Sequence, residues 1–350
     1  MTVLLKRVFY ACPFAHPAFT EVLGERSDVL LEKLGDDSPE EEIAAVLASA
    51  HAFQIGSIRN ELAPQFHAGS ELLSRTPNLL VVSTNGAGYD PVDLQACTDA
   101  GVIAVNQAGG NAEAVAEHVL GMMLCLTKRI IETDRHMRRQ ANIQRFEYTG
   151  FNVLGKTMGI IGIGHVGTRL AELCRGLFRM RVLACDPYLL AGEIAARGAE
   201  KVGLDELLRR ADYVSVNCPL TEETRGMLGA REYASMQKHA YLISTARGGI
   251  HDEAALAEAL RERRIAGAGL DVWEPEPPST DHPLLQLDNV LASPHTAGGT
   301  LEARRNIGTI AAQQLLGVLD GKRPPRLLNP QVWPAFSRKF ERVFGFAPAA

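Results

Sequence analysis

Short apolar runs recur along this chain, separated by stretches in which apolar positions return every three or four residues. The runs are Leu79-Leu-Val-Val-Ser83, 102–105, 158–162, 181–185, 213–217, 241–245, 267–271 and 290–292. They read as strands buried between layers. The stretches 165–177, 204–210 and 252–262 read as amphipathic helices. Strands alternating with helices predict βαβ units and parallel sheets, an α/β fold. Two longer helical patterns, 112–138 after Asn111 and 300–320 opened by Thr300, have suitable capping residues and read as crossings between domains. The chain then leaves a first domain near residue 107 and re-enters it near 300. One domain is discontinuous, 1–107 plus 301–350, and 108–300 forms the other. The proline-rich segment 275–283 is a loop.

The strongest local motif is Met158-Gly-Ile-Ile-Gly162-Ile-Gly164-His-Val-Gly167. A strand runs directly into G-x-G-x-x-G, and a helical pattern starts at His165. Gly162 permits the tight turn, Gly164 lets the backbone approach a pyrophosphate, and Gly167 lets the helix pack on the strand. The helix N-terminus offers unpaired N–H groups to phosphate. The next strand ends in Asp186, 19 residues beyond Gly167. A carboxylate there accepts from ribose hydroxyls and repels a 2′-phosphate. Pro187 and Tyr188 follow with no arginine, so NAD is favoured over NADP.

Just upstream, Gly150-Phe-Asn-Val-Leu-Gly155-Lys156-Thr157 matches the P-loop spelling G-x-x-x-x-G-K-[ST]. A P-loop follows a strand and precedes a helix. Here polar sequence precedes and a strand follows. The segment reads as a turn into the first nucleotide-domain strand, and ATP binding is rejected.

Hydride transfer to a ketone calls for a cation on the substrate, an acid for the developing alkoxide, and a partner for that acid. Arg247 follows the strand 241–245 and precedes Gly248-Gly249, and His295 follows the strand 290–292. Ligands in such sheets bind at the carboxyl ends of strands. Glu276 sits in the proline-rich loop. A carboxylate beside an imidazole favours its charged form, so Glu276 would keep His295 ready to donate.

Composition narrows the class. The chain has 350 residues, 46% apolar and 22% charged, with net charge −5, the balance of an ordinary soluble protein of two domains. No long basic tract offers a surface for nucleic acid, and no metal-ligand set is read. No run of 18 uncharged apolar residues exists, so no membrane span is expected. The order of charge and apolar residues at the N-terminus is the reverse of a signal peptide. Cys12, Cys97, Cys125, Cys174, Cys185 and Cys218 are widely spaced, which reads as reduced thiols in a cytoplasmic protein.

With these residues in view the chain resembles the D-isomer-specific 2-hydroxyacid dehydrogenases. The matching segments are Asn85-Gly-Ala-Gly-Tyr-Asp90, Asn111-Ala-Glu-Ala-Val-Ala-Glu-His118, Gly155–Gly164, Pro219-Leu-Thr-Glu-Glu-Thr-Arg-Gly226, Thr245-Ala-Arg-Gly-Gly249, Gly269-Leu-Asp-Val-Trp-Glu-Pro-Glu276-Pro and Ser293-Pro-His295, in family order. The resemblance implies two Rossmann-like domains with parallel sheets, the substrate domain being discontinuous and flavodoxin-like. It implies that Arg247 binds the substrate carboxylate and carbonyl, that His295 is the acid/base, and that Glu276 tunes it. Asn85, Gly86 and Ala87 would hold the carboxylate through backbone N–H groups. His165 and Val166 would line the pyrophosphate, Asp186 the adenosine ribose, and Cys218, Pro219 and Thr224 the adenine. Thr245, Ala246 and Asp271 would meet the nicotinamide end, with Arg247 and His295 beside it. A homodimer through the NAD-binding domain is implied, giving the 112–138 helix and Arg135, Arg138 and Arg139 an interface role. Residues 1–78 fit the family loosely. Arg59 is the single basic residue of Ile55-Gly-Ser-Ile-Arg59, and the tail is short for an appended regulatory domain. Both weigh against serine-pathway phosphoglycerate dehydrogenase. Relatives on the same scaffold include formate and phosphite dehydrogenases and corepressor-like NAD-binding proteins, which are the competing functional readings.

Overall fold

The computed structural model describes residues 5–11, 14–59, 62–139 and 142–349. Cys12 and the first four residues of the N-terminal stretch weighed as a signal peptide lie outside them. Two compact units divide the chain, 1–111 with 300–350, and 112–299.

The first unit begins with β1 (Lys6–Tyr10), α1 (Ala18–Gly24), β2 (Val29–Lys33), α2 (Glu40–Ser49), β3 (Ala52–Ile55), α3 (Ser70–Ser74), β4 (Val81–Thr84), α4 (Leu94–Asp99) and β5 (Ile103–Val105). Its sheet is parallel in the order β2-β1-β3-β4-β5. That is the flavodoxin-like order, with the reversal between β1 and β3. Phe9 of β1 lies opposite Phe53 of β3, their rings stacked 4.1 Å apart. β3 and β4 are buried on both faces, yet carry Gln54, Ser83 and Thr84. Buried polar groups must be satisfied, and here they tie down the loop after β4. Gln54 Nε2 donates to Asn85 Oδ1 at 2.8 Å, and Thr84 Oγ1 donates to the Gly86 carbonyl at 3.1 Å.

The second unit opens with α5 (Ala112–Thr127) and α6 (Ile130–Arg139). The single helix expected over 112–138 is therefore two. Phe151 N–H donates to the Thr127 carbonyl at 3.0 Å, and Arg129 turns the chain with φ 54°. The returning segment thus satisfies the end of α5, and α6 leaves in a new direction. Then come β6 (Thr157–Ile161), α7 (His165–Phe178), β7 (Arg181–Cys185), α8 (Ala191–Ala196), β8 (Glu200–Lys201), α9 (Leu204–Arg210), β9 (Tyr213–Val216), α10 (Ala230–Ser235), β10 (Tyr241–Ser244), α11 (Glu253–Arg261), β11 (Gly267–Leu270) and β12 (Val290–Ala292). The sheet is parallel, ordered β12-β11-β10-β9-β6-β7-β8. Its strand order reverses between β6 and β9. Met158 and Ile160 of β6 enter one apolar layer and Ile161 the other, the alternation expected of a doubly wound sheet. Gly155, at φ 71°, turns the chain into β6, so the P-loop spelling marks a turn.

After residue 299 the chain returns to the first unit as α12 (Leu301–Leu319) and α13 (Trp333–Phe344). Thr300 caps α12, its hydroxyl accepting from Ala303 N–H at 3.1 Å. Between the helices, fully buried Asn329 accepts from Ala104 N–H at 2.9 Å and donates to the Val102 carbonyl at 3.0 Å. This one side chain pins the returning segment to β5. No helix among the described residues is long and apolar enough to cross a membrane.

Candidate active site

The turn after β6 sits at the point of strand reversal, where a doubly wound sheet opens a ligand crevice. Gly162 has φ 84°, and a Cβ there would lie 2.7 Å from the Cys218 backbone nitrogen. A Cβ at Gly167 would lie 2.6 Å from the Gly162 carbonyl oxygen. Both positions are therefore glycine for reasons internal to the fold. Gly164 differs, because a Cβ there would meet no protein atom within 4 Å. The fold leaves this side of residue 164 open to a ligand, which fits a dinucleotide phosphate at the start of α7.

A cavity of about 420 Å³ opens there, lined by Gly164, His165, Thr168, Arg169, Glu172 and Arg197. Val166 follows in the first turn of α7, half-buried. Ile163 is braced on both sides. Its N–H donates to Asp186 Oδ2 at 3.2 Å, and its carbonyl accepts from Arg197 Nη1 at 2.5 Å. Asp186 Oδ1 also accepts from Tyr188 N–H at 3.1 Å. The carboxylate assigned to ribose thus also orders the glycine turn. Across the crevice, Thr224 Oγ1 donates to the Pro219 carbonyl at 2.7 Å and shapes the loop after Cys218. Burial pushes the Cys218 thiol up to about 11, so it is a neutral packing group. Tyr188 hydroxyl donates to Glu223, linking the loops after β7 and β9. Neither Arg197 nor this link was legible in the sequence. Arg197 lies 30 residues past the last motif glycine, and exposed Tyr and Glu carry no periodic signal.

The groups expected to react, Arg247, Glu276 and His295, lie on the same unit. His295 Nδ1 and Glu276 Oε2 are 2.9 Å apart, and Glu276 Oε1 accepts from Trp273 N–H at 2.9 Å. Burial pushes the Glu276 carboxyl upward. The His295 hydrogen bond, the Trp273 N–H and the charges of His295 and Arg247 outweigh it, leaving Glu276 below the usual carboxylate range. Arg247 follows β10 after Thr245 and Ala246, and its Nη1 donates to the Ala246 carbonyl at 2.7 Å. Gly248 and Gly249 beyond it are crossed by the Glu276 loop, and a Cβ on Gly248 would stand 2.0 Å from the Trp273 carbonyl oxygen.

His295 adopts φ 56°, a left-handed conformation costing about 1–2 kcal/mol outside glycine. Asp271, fully buried at the end of β11, holds it there. The Asp271 carbonyl accepts from His295 N–H at 2.7 Å, and its carboxylate accepts from Thr296 N–H at 2.8 Å and Ala297 N–H at 2.9 Å. The sequence reading placed Asp271 against nicotinamide. Its hydrogen bonds run to the loop that carries His295. Asn85, Gly86 and Ala87 belong to the other unit, at the carboxyl end of β4. There Gly86 carbonyl accepts from Gln107 N–H at 2.9 Å, and Ala87 carbonyl from Asn106 Nδ2 at 2.8 Å.

Residues 120–297 match the family model described as D-isomer specific 2-hydroxyacid dehydrogenase, NAD binding domain. The glyoxylate reductase of Thermofilum pendens is 38% identical over 274 residues, covering 75% of this chain and 78% of that protein. The chain belongs to the D-isomer-specific 2-hydroxyacid dehydrogenase family. The D-3-phosphoglycerate dehydrogenase of Archaeoglobus fulgidus is likewise 38% identical over 272 residues, 77% of this family member. The chain spans about half the length of that relative, 51%. A solved structure of D-lactate dehydrogenase from Aquifex aeolicus, complexed with NAD and lactic acid, superposes with a TM-score of 0.76 at 27% identity, covering 93% of this chain and 99% of that one. NAD is the dinucleotide of the matched domain, and the open approach at Gly164 suits its pyrophosphate.

Proposed function

We propose that this protein interconverts a small 2-keto acid and the corresponding D-2-hydroxy acid. The observation that carries the reading is the His295–Glu276 pair at 2.9 Å, close enough to Arg247 for that cation to act on Glu276. When bound, NAD would supply or accept the hydride. Gly164, His165 and Val166 would hold its pyrophosphate, Asp186 the adenosine ribose, and Cys218, Pro219 and Thr224 the adenine. Thr245, Ala246 and Asp271 would face the nicotinamide end. Arg247 binds the substrate carboxylate and polarises its carbonyl. With Nδ1 committed to Glu276, His295 delivers its Nε2 proton to the carbonyl oxygen on reduction and removes it on oxidation. Glu276, kept ionised, fixes the ring and offsets the charge it carries before donation. By the family resemblance, Asn85, Gly86 and Ala87 would offer backbone N–H groups to a carboxylate.

Glyoxylate, pyruvate and hydroxypyruvate are substrates of the right class. The names of two of the relatives, a glyoxylate reductase and a D-lactate dehydrogenase, support this, as does Arg59 being the single Lys or Arg between β3 and α3. The protein acts as a homodimer through its NAD-binding unit. Exposed Met137, Phe146, Phe151 and Leu154 beside α6 support that assembly. The free thiols Cys97, Cys125, Cys174, Cys185 and Cys218 accord with a reducing, cytoplasmic setting.

The test is NADH oxidation against a panel of 2-keto acids, with NADPH in parallel and His295→Ala alongside. Turnover with NADH preferred and kcat lowered about 10²–10⁴-fold in His295→Ala, with NADH still bound, is expected. NADH binding without turnover on any acid would favour a corepressor-like protein. Turnover of formate or phosphite alone would move it to those relatives.

A further inference from the structure

A polar chain runs from α5 to the loop that carries His295. His118 Nε2 lies 3.1 Å from Ser293 Oγ, and Ser293 Oγ donates to Asp271 Oδ1 at 2.6 Å. Asp271 is fully buried, and a buried carboxylate is costly unless donors converge on it. Its carboxylate donors are the Ser293 hydroxyl and the N–H groups of Thr296 and Ala297, all beside His295 in sequence. The His118 ring reaches within 3.9 Å of the same carboxylate. Wherever this charge sits, the His295 loop sits with it.

The direction of the chain follows from counting protons. A serine hydroxyl has one proton, and here it is spent on Asp271. Ser293 Oγ can then only accept from His118, so Nε2 must carry a hydrogen. If Nε2 were bare, it would draw the serine proton off a buried carboxylate and leave Asp271 short of a donor. The tautomer of His118 is thus dictated by the charge two links away.

We infer that His118 is a positioning residue for the acid/base His295, acting through Ser293 and Asp271. This rests on the function proposed above. His118 touches neither of the proposed reacting partners, Glu276 or Arg247, in any hydrogen bond of the described structure. Its effect is geometric. It orients the serine hydroxyl, the hydroxyl helps fix Asp271, and Asp271 holds residues 295–297 so that the left-handed His295 meets Glu276.

The experiment compares wild type with His118→Leu, which removes the donor, His118→Gln, which keeps one, and Ser293→Ala. Each is read for kcat, for KM of the keto acid, for NADH affinity by fluorescence, and for the downfield proton resonance of His295 Nδ1–H against Glu276. That resonance is assigned by its absence in His295→Ala. Expected is a fall in kcat of about tenfold in His118→Leu and Ser293→Ala, with NADH affinity unchanged and the resonance broadened or lost. His118→Gln should recover most of both. A His118→Leu protein with wild-type kcat and an unchanged resonance overturns the inference, and so does a His118→Gln variant as impaired as His118→Leu. Should His118→Leu fail to fold, Ser293→Ala breaks the same link by deleting one oxygen and takes the same readouts. If wild type reduces none of the acids, the proposed function fails, and the resonance still decides whether His118 places His295.

Discussion

At Gly248 the chain tolerates no side chain. A Cβ would stand 2.0 Å from the Trp273 carbonyl oxygen and 3.0 Å from Glu274 nitrogen. Both are backbone atoms of the loop that carries Glu276, so relief must come from moving that loop. Neighbouring Gly249 has φ 75° and lies under the Glu274 carboxylate, which blocks the easy escape. Gly248→Ala is expected to lose about 1–3 kcal/mol of stability from the clash. It should also lose most of kcat while NADH binding survives, because the glycine turn after β6 is untouched. Urea denaturation, steady-state kinetics and a fluorescence titration on the same preparation check this. Full activity in Gly248→Ala would mean that the Glu276 loop shifts freely and that its contact with His295 is incidental.

Among the elements, Arg129 is the informative break. Its guanidinium is bidentate on Glu132, at 2.7 and 2.6 Å, and it also donates to the Glu147 carbonyl. The residue accepts left-handed strain in return for three hydrogen bonds that fix the angle between α5 and α6. Arg129→Ala keeps the strain and loses the bonds, whereas Arg129→Gly loses both. Alanine is therefore expected to be the more destabilising of the two, by about 1 kcal/mol, measured as the difference in their urea midpoints. The periodic pattern of 112–138 could not reveal this break, since arginine is a good helix former and the reason for stopping is the returning Phe151 N–H. The nucleotide half was legible because most of its strands are buried on both faces and its glycines stand at fixed spacing, whereas the exposed two-residue β8 was not read. The first 78 residues were not. β2 is half-exposed, its Val29-Leu30-Leu31 running straight into Glu32 and Lys33, and β3 is four residues long and interrupted by a buried Gln54, so neither stands out as a buried strand. The helix Trp333–Phe344 was also missed, though Phe336, Phe340 and Phe344 have helical spacing. Of the candidate site, Arg247, Glu276 and His295 are proposed from strand ends and family register, and the structure brings His295 and Glu276 to 2.9 Å. The hydrogen bonds by which Asp271 holds the His295 loop could not be read, because pairings between 271 and 293–297 leave no trace in spacing.

On the scale of the whole molecule, the exposed apolar side chains of the NAD-binding unit bear on assembly. Phe146 is 78% exposed, Phe151 61% and Leu154 63%, an unusual density for a surface left in water. Sedimentation velocity is expected to give twice the 38.0 kDa chain mass. A Phe146→Glu, Phe151→Glu double variant should sediment as the monomer with its circular dichroism unchanged. A wild-type monomer at micromolar concentration would remove the homodimer from the proposal.

The insertion of residues 112–299 into the first unit also orders its birth. One of the two apolar faces of the β1–β5 sheet, made by Val8, Leu80, Val81, Ile103 and Val105, is covered by Phe19 and Leu23 of α1 and, for the rest, by Ala311, Leu315, Leu319, Phe336 and Phe340. All the strands of that sheet leave the ribosome before residue 112, but the helices that cover the rest of it follow nearly 190 residues later. At about 5–20 residues per second, this face waits tens of seconds or less for its cover. During that interval α1, through Phe19 and Leu23, is the one helix packed on this face, and the rest of it stays open until α12 and α13 emerge.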